Sequence, residues 1–463
     1  MFPQIKFEEF KTEDFSNIAL TYAINMAVIL KKNQLFTVRV PTQLTQYSNL
    51  TVSKNDSTPS TTEYSNDQSF ILPKKIQPNN AKINAVGIDL GTSRCCAAVN
   101  RRNGIETVAL DYKGERLLPS FIAFDEAHIK CGQIVIDRLR HYSKSTIFDS
   151  KRIIGREFSD IEIDESWPFT VILDNDNKNV MLEVKTFDGR NQISPESASA
   201  SLLKYIKQKV EEFQGQKSKH AVITVPAAFT EAQKMATLKA AKLAGFEKIA
   251  LLPEPVAASF AYFINRPIPN NSKILLFDLG GGTLDVCIFK IQNNQIFIIS
   301  NTGDSKLGGR DFDKILINYF LNIFNSKFCI LLADGKKYKL MQECQKIKEN
   351  LSNSANSCLD VEEFDASKEG ELISISQKEL QKMTTSLMNR IQNTIFSALQ
   401  SSAYTPDQID KVLQVGGGSR MPMIKNLLQN LFPKAEHCCE ENPDEVVAIG
   451  AAYYAYTILD NSK

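Results

Sequence analysis

The chain has 463 residues, of which 43% are hydrophobic, and its formal net charge is +1. This length provides core for roughly three domains, and the near-zero charge excludes a global field that would attract nucleic acid or anionic membranes. Nine cysteines, an odd number without CxxC spacing, exclude a disulfide framework or a zinc site and favour a reducing, cytoplasmic compartment.

The first eighty residues differ in composition from the rest of the chain. Residues 1–40 place Phe7, Phe10 and Tyr22 at helical spacing, which predicts an amphipathic segment that docks on the body or on a partner. Residues 41–82 are rich in Ser, Thr, Asn and Gln. Because this composition buries too little apolar surface to offset its ordering entropy, we predict a polar linker.

One apolar run near the start raises the question of a membrane or secretory segment. Residues 18–30 are too few to span a bilayer and follow a group of acidic residues, which is unlike a signal peptide. We therefore expect no membrane association. The secretory-pathway lumen stays open as an alternative, because Asn49 and Asn55 begin glycosylation sequons that matter only there.

Two strand-to-turn segments share one pattern. An apolar strand from Ile83 runs into residues 89–93, Asp-Leu-Gly-Thr-Ser, and a second, 274–277, runs into 278–283, Asp-Leu-Gly-Gly-Gly-Thr. Glycines let backbone N–H groups approach a phosphate, and aspartate oxygens suit Mg²⁺. A single glycine turn also fits an ordinary hairpin. The repetition predicts two lobes that present their turns to a shared cleft.

Strands and helices alternate through the remainder of the chain, which predicts α/β layers with helices covering a mixed sheet. The predicted helices are 196–213, 231–244, 315–332, 340–351 and 377–401, and the predicted strands are 221–225, 359–364, 372–375 and 412–415. The last strand leads into Gly416-Gly-Gly-Ser419 and a helix from Pro422. A glycine turn that opens a helix is suited to phosphate, or to a flat base that approaches the backbone.

Several motifs together resemble the ATPase domain of the 70-kDa heat-shock chaperone family. They are Gly87-Ile-Asp-Leu-Gly-Thr-Ser, Lys151-Arg-Ile-Ile-Gly-Arg, Val222-Ile-Thr-Val-Pro-Ala, Phe277-Asp-Leu-Gly-Gly-Gly-Thr, Leu307-Gly-Gly, Val415-Gly-Gly-Gly-Ser-Arg and Asn442-Pro-Asp-Glu-Val-Val-Ala-Ile-Gly. The likeness covers about residues 83–463. It implies an actin-like fold of two duplicated lobes, about 83–267 and 268–463, each with a core and a peripheral subdomain, the latter at about 119–194 and 306–385.

The resemblance also implies a site for Mg-ATP or Mg-ADP, with K⁺ as a further candidate ion. Asp89, Glu254 and Asp278 match the acids that hold Mg²⁺ through its waters, Lys151 matches the catalytic lysine, and Thr283 or Asp278 would orient the attacking water. The matched nucleotide-contact positions are Gly91, Thr92, Ser93, Gly280, Gly281, Gly282, Gly308, Gly309, Lys348, Ser352, Gly416, Gly417, Gly418, Arg420 and Asp444. From the residues alone, Lys151 also fits a solvated surface lysine and Glu254 a turn acid.

The adenosine end departs from the family pattern. Gln345 stands where the family binds ribose with Glu, Glu349 where an Arg stacks on adenine, and Gly418 where Ser is usual. Replacing Arg by Glu removes a stacking cation and brings an acid close to an electron-rich base. We therefore predict weaker ATP binding than is usual in the family.

The surfaces that would transmit the nucleotide state depart as well. Ala228, Lys234, Ala250 and Pro253 replace the residues that receive the linker and the J-domain co-chaperone, which argues against J-domain coupling. The sequence ends at Lys463, before the family's acidic linker and peptide-binding domain, whether naturally or by truncation. We expect an action other than the usual ATP-gated grip on a peptide, read by an unidentified protein partner or a nucleotide-exchange factor.

Two functions remain open at this point. One is a slow Mg-dependent ATPase whose lobe closure is sensed by a partner. The other is a non-hydrolysing scaffold or regulatory subunit that uses the same fold. A sugar kinase or an actin-like polymer fits the 151–156 and 306–385 patterns poorly.

Overall fold

The computed structural model describes residues 69–73, 84–101, 103–264, 266, 268–439 and 441–460. The predicted amphipathic segment 1–40 and most of the predicted linker 41–82 lie outside the described residues. Within that linker, however, Ser69–Ile71 form a strand. Phe70 and Leu72 pack against the apolar core, and the strand pairs with an otherwise open sheet edge, so this part of the chain is not a linker.

The described chain contains both strands and helices, with runs of consecutive strands between some of the helices. In chain order the strands are β1 (Ser69–Ile71), β2 (Ala85–Asp89), β3 (Arg94–Arg101), β4 (Gly104–Thr107), β5 (Leu118–Pro119), β6 (Phe121–Ala123), β7 (Lys130–Cys131), β8 (Thr146–Phe148), β9 (Thr170–Leu173), β10 (Val180–Thr186), β11 (Gly189–Ile193), β12 (His220–Val225), β13 (Lys248–Pro253), β14 (Lys273–Leu279), β15 (Leu284–Gln292), β16 (Gln295–Asp304), β17 (Asn356–Asp360), β18 (Leu372–Ser376), β19 (Lys411–Val415) and β20 (Glu436–Cys438). The helices are α1 (Gln133–Tyr142), α2 (Pro195–Gln214), α3 (Glu231–Leu243), α4 (Glu254–Phe263), α5 (Gly309–Ile323), α6 (Asp334–Asn350), α7 (Gln377–Met383), α8 (Thr385–Ser402), α9 (Pro422–Leu431) and α10 (Val446–Asp460). Among the described residues, no helix is both long enough and apolar enough to cross a bilayer.

The two halves of the chain build the same sheet twice. The first sheet has the order β13-β12-β2-β3-β4, and the second has the order β20-β19-β14-β15-β16, with β1 added at its edge. In both sheets the central strand pairs antiparallel with the next strand of its hairpin and parallel with the strand that returns later in the chain. The predicted α/β fold with two duplicated lobes is therefore confirmed.

The central strands are apolar because helices cover both faces of the sheets. Ile274, Leu275, Leu276 and Phe277 of β14 have no exposed surface. A strand buried on both faces has no polar alternation, which is why this run is continuously hydrophobic. Because this packing holds the strand in place, the turn that follows it begins at a fixed position.

The lobes share a core at their base, where α4 and α10 pack together with both sheets. At Gly450 an added Cβ would lie 1.7 Å from the carbonyl oxygen of Ala257, and at Gly87 it would lie 2.1 Å from the backbone nitrogen of Ala452. Only glycine permits these backbone contacts. These backbone contacts therefore fix how the elements below the cleft pack against one another.

The predicted peripheral segments carry sheets of their own. Residues 119–194 contain the sheets β7-β6-β8 and β11-β10-β9, and residues 306–385 contain the pair β17-β18 beside α6. The two segments meet where the side-chain amide of Gln342 donates to the Ile136 carbonyl, at 2.9 Å, and where Met341 packs against the first lobe's core. The peripheral segments thus contact one another across the cleft.

Several predicted elements have different bounds in the structure. The helix predicted over 340–351 is α6, which begins at Asp334, and the strand predicted over 359–364 is β17, which ends at Asp360. The helix predicted over 315–332 is α5, which ends at Ile323 and continues as a π-helical turn to Phe328. The helix predicted over 377–401 is broken into α7 and α8 at Thr384, whose hydroxyl donates to the Leu380 carbonyl at 2.9 Å. A buried threonine that bonds back to its own turn competes with regular helix geometry, a tertiary preference that hydrophobic spacing does not show.

Candidate functional site

A cavity of about 420 Å³ lies between the two lobes and opens where β2, β14 and β19 end. Most residues predicted for the site line it together. They are Asp89, Gly91, Thr92, Ser93, Lys151, Glu254, Asp278, Gly280, Gly281, Thr283, Gly309, Lys348, Ser352, Gly416, Gly417, Gly418, Arg420 and Asp444. Gly282 and Gly308 are not on the wall, because they pack behind it, where a Cβ on Gly308 would lie 2.5 Å from the Gly282 nitrogen.

The glycine turns of the two lobes contact each other directly. A Cβ on Gly281 would lie 2.0 Å from the hydroxyl oxygen of Ser93, and one on Gly282 would lie 2.7 Å from Cγ2 of Thr92. The glycines are therefore needed for the contact between the lobes as well as for exposing backbone N–H groups to an anion.

Beside these turns lies a group of three carboxylates and one lysine, which we call the carboxylate cluster: Asp89, Lys151, Glu254 and Asp278. The Lys151 ammonium donates to Oε1 of Glu254 at 2.6 Å, and the two side chains are only 10% and 9% exposed. The two residues come from different elements, a 3₁₀ turn at Ser150–Arg152 and the first position of α4, so only the fold brings them together.

The aspartates of this cluster resist ionisation. Burial, together with the negative charge of Glu254, raises the pKa of Asp89 to about 7 and the pKa of Asp278 well above its ordinary value. The pKa of Asp285, behind the wall, is raised to about 7 for the same reasons. Burial disfavours the charged form of Lys151, but Glu254 and Asp89 raise its pKa, so the lysine stays protonated. Because only one lysine lies among four acids, ionisation of all four acids would leave an excess of negative charge, which a bound cation would balance.

The exposed ion-pair group, Arg94, Gln345, Glu349, Arg420 and Asp444, lines another part of the cavity. Arg420 contacts Asp444 at 2.8 Å. Glu349 contacts Arg94 of the other lobe at 2.8 Å and accepts a hydrogen bond from Gln345 at 3.0 Å. Glu349, the acid that the family resemblance places beside the adenine base, is therefore neutralised by Arg94 of the opposite lobe. No local motif indicates this pairing.

The cavity is also lined by charged residues that the sequence analysis did not select, among them Arg94, Arg310 and Asp313. Asp313 contacts Lys348 of the same wall at 2.7 Å. Arg94 and Arg310 each follow a glycine turn directly, and that position was the one available signal.

Comparisons with known proteins agree with this architecture. The family described as Hsp70 protein matches residues 85–462. A heat shock 70 kDa protein of Neurospora crassa is 35% identical over 379 residues, which cover 80% of this chain and 58% of the relative. Heat shock cognate 70 kDa protein 3 of Dictyostelium discoideum is 32% identical, with 82% and 61% covered. The chaperone protein DnaK of Prochlorococcus marinus is 33% identical, with 79% and 58% covered.

The chain thus spans about three-fifths of the length of these curated relatives. The family match covers both glycine turns, the carboxylate cluster and both sheets apart from the edge strand β1. The chain therefore belongs to the 70-kDa heat-shock protein family and has that family's actin-like ATPase fold.

Proposed function

We propose that this chain binds Mg-ATP in the inter-lobe cavity, hydrolyses it slowly, and passes the resulting change in lobe closure to a protein partner. Membership in the family implies a site for ATP or ADP with Mg²⁺. The observation that carries the proposal is that two glycine turns from different lobes meet beside the Lys151–Glu254 ion pair in one cavity. Phosphoryl transfer to water needs positioning and charge neutralisation of this kind more than covalent help.

The cluster chemistry fits a magnesium ion held through water. Asp89, Glu254 and Asp278 supply hard oxygen donors in excess of the available cations. In line with the family resemblance, we assign these acids to the water shell of Mg²⁺, which would supply charge neutralisation at the phosphates.

The remaining roles follow from contacts. Lys151 keeps its charge and would neutralise the terminal phosphate, while its bond to Glu254 fixes its position. Thr283 and Asp278 face the cavity and would orient the attacking water. The turn glycines Gly91 and Gly281 would offer backbone N–H groups to the phosphate oxygens, whereas the N–H of Gly280 donates to the Thr283 carbonyl at 3.0 Å and closes the turn.

Lobe closure is the proposed output. The contact of Gln342 with the Ile136 carbonyl, and the pair of Arg94 with Glu349, cross the cleft and would break if the lobes opened. A nucleotide held by both lobes would favour the closed arrangement, which a partner or an exchange factor would recognise. We propose the cytoplasm as the compartment, in line with the cysteine content.

The test measures ATP turnover and ATP binding by the wild type, Lys151→Ala and Asp278→Ala. We expect both variants to lose at least about 100-fold in turnover, with binding retained in Lys151→Ala. Lys434→Ala is the control, because this lysine is 66% exposed and pairs with Asp407 on the surface. Equal, near-zero turnover by all four proteins would overturn the enzyme proposal.

The second candidate is a non-hydrolysing scaffold, and one observation favours it. The base-stacking arginine of the family is replaced by Glu349, which is already paired with Arg94. Binding of ATP without measurable turnover would select this alternative.

A further inference from the structure

Arg310 is fastened to the second glycine turn by its own backbone. It is the second residue of α5, and the N–H groups of Gly309 and Arg310 donate to the carbonyls of Gly280 and Gly281, both at 2.9 Å. The origin of its side chain is therefore fixed relative to the turn that would bind phosphate.

The guanidinium of Arg310 is held by groups of the opposite lobe. Its Nε lies 2.8 Å from Oδ1 of Asp149, whose side chain is 2% exposed, and donates to the hydroxyl of Ser93 at 3.2 Å. The guanidinium carbon lies 5.5 Å and 5.2 Å from the ring centres of Phe121 and Phe148, within cation–π range. These contacts place a positive charge beside Ser93 before any ligand arrives.

Within the described part of the chain, the two polar contacts of the Arg310 side chain both use Nε. Its two terminal nitrogens are therefore the donors that it can offer to a ligand in the cavity, which the residue lines. Arg152 differs, since a terminal nitrogen of Arg152 donates to the Gly282 carbonyl at 3.3 Å and lies 3.6 Å from Asp311. A phosphate oxygen accepts well from a planar guanidinium, which presents its donors as a fork.

The balance of charge in the cavity favours a second cation, in addition to Lys151, near a bound phosphate. Lys151 faces the acids of the carboxylate cluster, so its charge is largely offset by Glu254. A terminal phosphate would add further negative charge at the same place. We propose that Arg310 binds the terminal phosphoryl group of the nucleotide as a second cation beside Lys151, and thereby favours ATP over ADP. This inference rests on the proposed nucleotide site and names a residue that the family motifs do not select.

The test is the ratio of ATP to ADP dissociation constants, measured by calorimetry with Mg²⁺ on the full chain. We expect Arg310→Met to weaken ATP binding by about tenfold or more and to change ADP binding much less, because one charge-assisted contact to the terminal phosphate is lost. Lys314→Met is the matched control, since it removes a cation one turn further along α5 that pairs with Asp164 at 3.9 Å and lies off the cavity wall.

A second variant separates phosphate binding from structural support. Arg310→Met leaves the buried Asp149 without its cation, so the double variant Asp149→Asn/Arg310→Met removes that penalty. Continued loss of ATP preference in the double variant supports the inference, and its restoration would overturn it, as would equal ATP-to-ADP ratios in Arg310→Met and Lys314→Met. If the wild type binds neither nucleotide, the proposed function fails, and this inference fails with it.

Discussion

The carboxylate cluster and the exposed ion-pair group line one cavity but differ in burial and in how their charges are balanced. Lys151 and Glu254 are about one-tenth exposed, and Asp89 and Asp278 resist ionisation. In the exposed ion-pair group, by contrast, Arg94 is 39% exposed and Glu349 48%.

This difference explains which part of the site tolerates change. Removing one member of a buried ionic cluster leaves an uncompensated charge in low dielectric, which is costly. An exposed pair is solvated on its own, so each member is replaceable at little cost. Gln345 and Glu349, two of the positions where the family resemblance predicts a departure, belong to the exposed ion-pair group.

The largest expected effect comes from the contact between the glycine turns. In Gly281→Ala the new Cβ would lie 2.5 Å from Cβ of Ser93, so the lobes must shift apart. We expect a loss of about 1–3 kcal/mol in the free energy of unfolding, measured with urea, together with weaker ATP binding. The control is Gly280→Ala, where the nearest atom would be 3.6 Å away and stability should hold. If Gly281→Ala and Gly280→Ala are equally stable, the glycine turns do not make the close contact that the structure shows.

The next effect is a pH dependence caused by buried acids. Burial and the charge of Glu254 raise the pKa of Asp285 from 3.8 to about 7 in the folded protein. Between pH 3.8 and about 7, Asp285 is ionised in the unfolded chain but protonated in the folded protein. The free energy of unfolding is therefore highest below pH 3.8 and falls as the pH rises toward 7.

We therefore expect Asp285→Asn to flatten this fall. The variant should be more stable than the wild type by about 1 kcal/mol or more at pH 7, and equally stable at pH 4, in thermal unfolding without nucleotide or Mg²⁺. Asp407→Asn serves as the control, since this aspartate is 60% exposed. If the stabilities of the wild type and Asp285→Asn change with pH in parallel, the raised pKa of Asp285 is not the cause of the fall.

The smallest effect is expected in the exposed ion-pair group. Glu349→Arg places a second cation opposite Arg94 and should lower the free energy of unfolding by at most about 1 kcal/mol, because the pair is largely solvated. The charge-swapped double variant Arg94→Glu/Glu349→Arg should recover that loss. A cost comparable to that of Gly281→Ala would show that this pair is as important as the contact between the turns.

Much of the fold was predictable because its signals are local. The strand 274–277 and the turns 89–93 and 278–283 are contiguous motifs, and their repetition predicted two lobes that the sheet orders confirm. The break at Thr384 and the edge strand Ser69–Ile71 were missed, because a back-bonded hydroxyl and an open sheet edge are set by neighbours distant in sequence.

The sequence by itself determined the family, the duplicated lobes and the residue types of the site, since each is written in a short run of adjacent residues. Only the tertiary structure decided which charges meet. Lys151 pairs with Glu254, Arg94 with Glu349 and Arg310 with Asp149 across at least a hundred positions of chain. Such contacts depend on how α4, α5 and α6 pack around the cavity, and no local pattern encodes that packing.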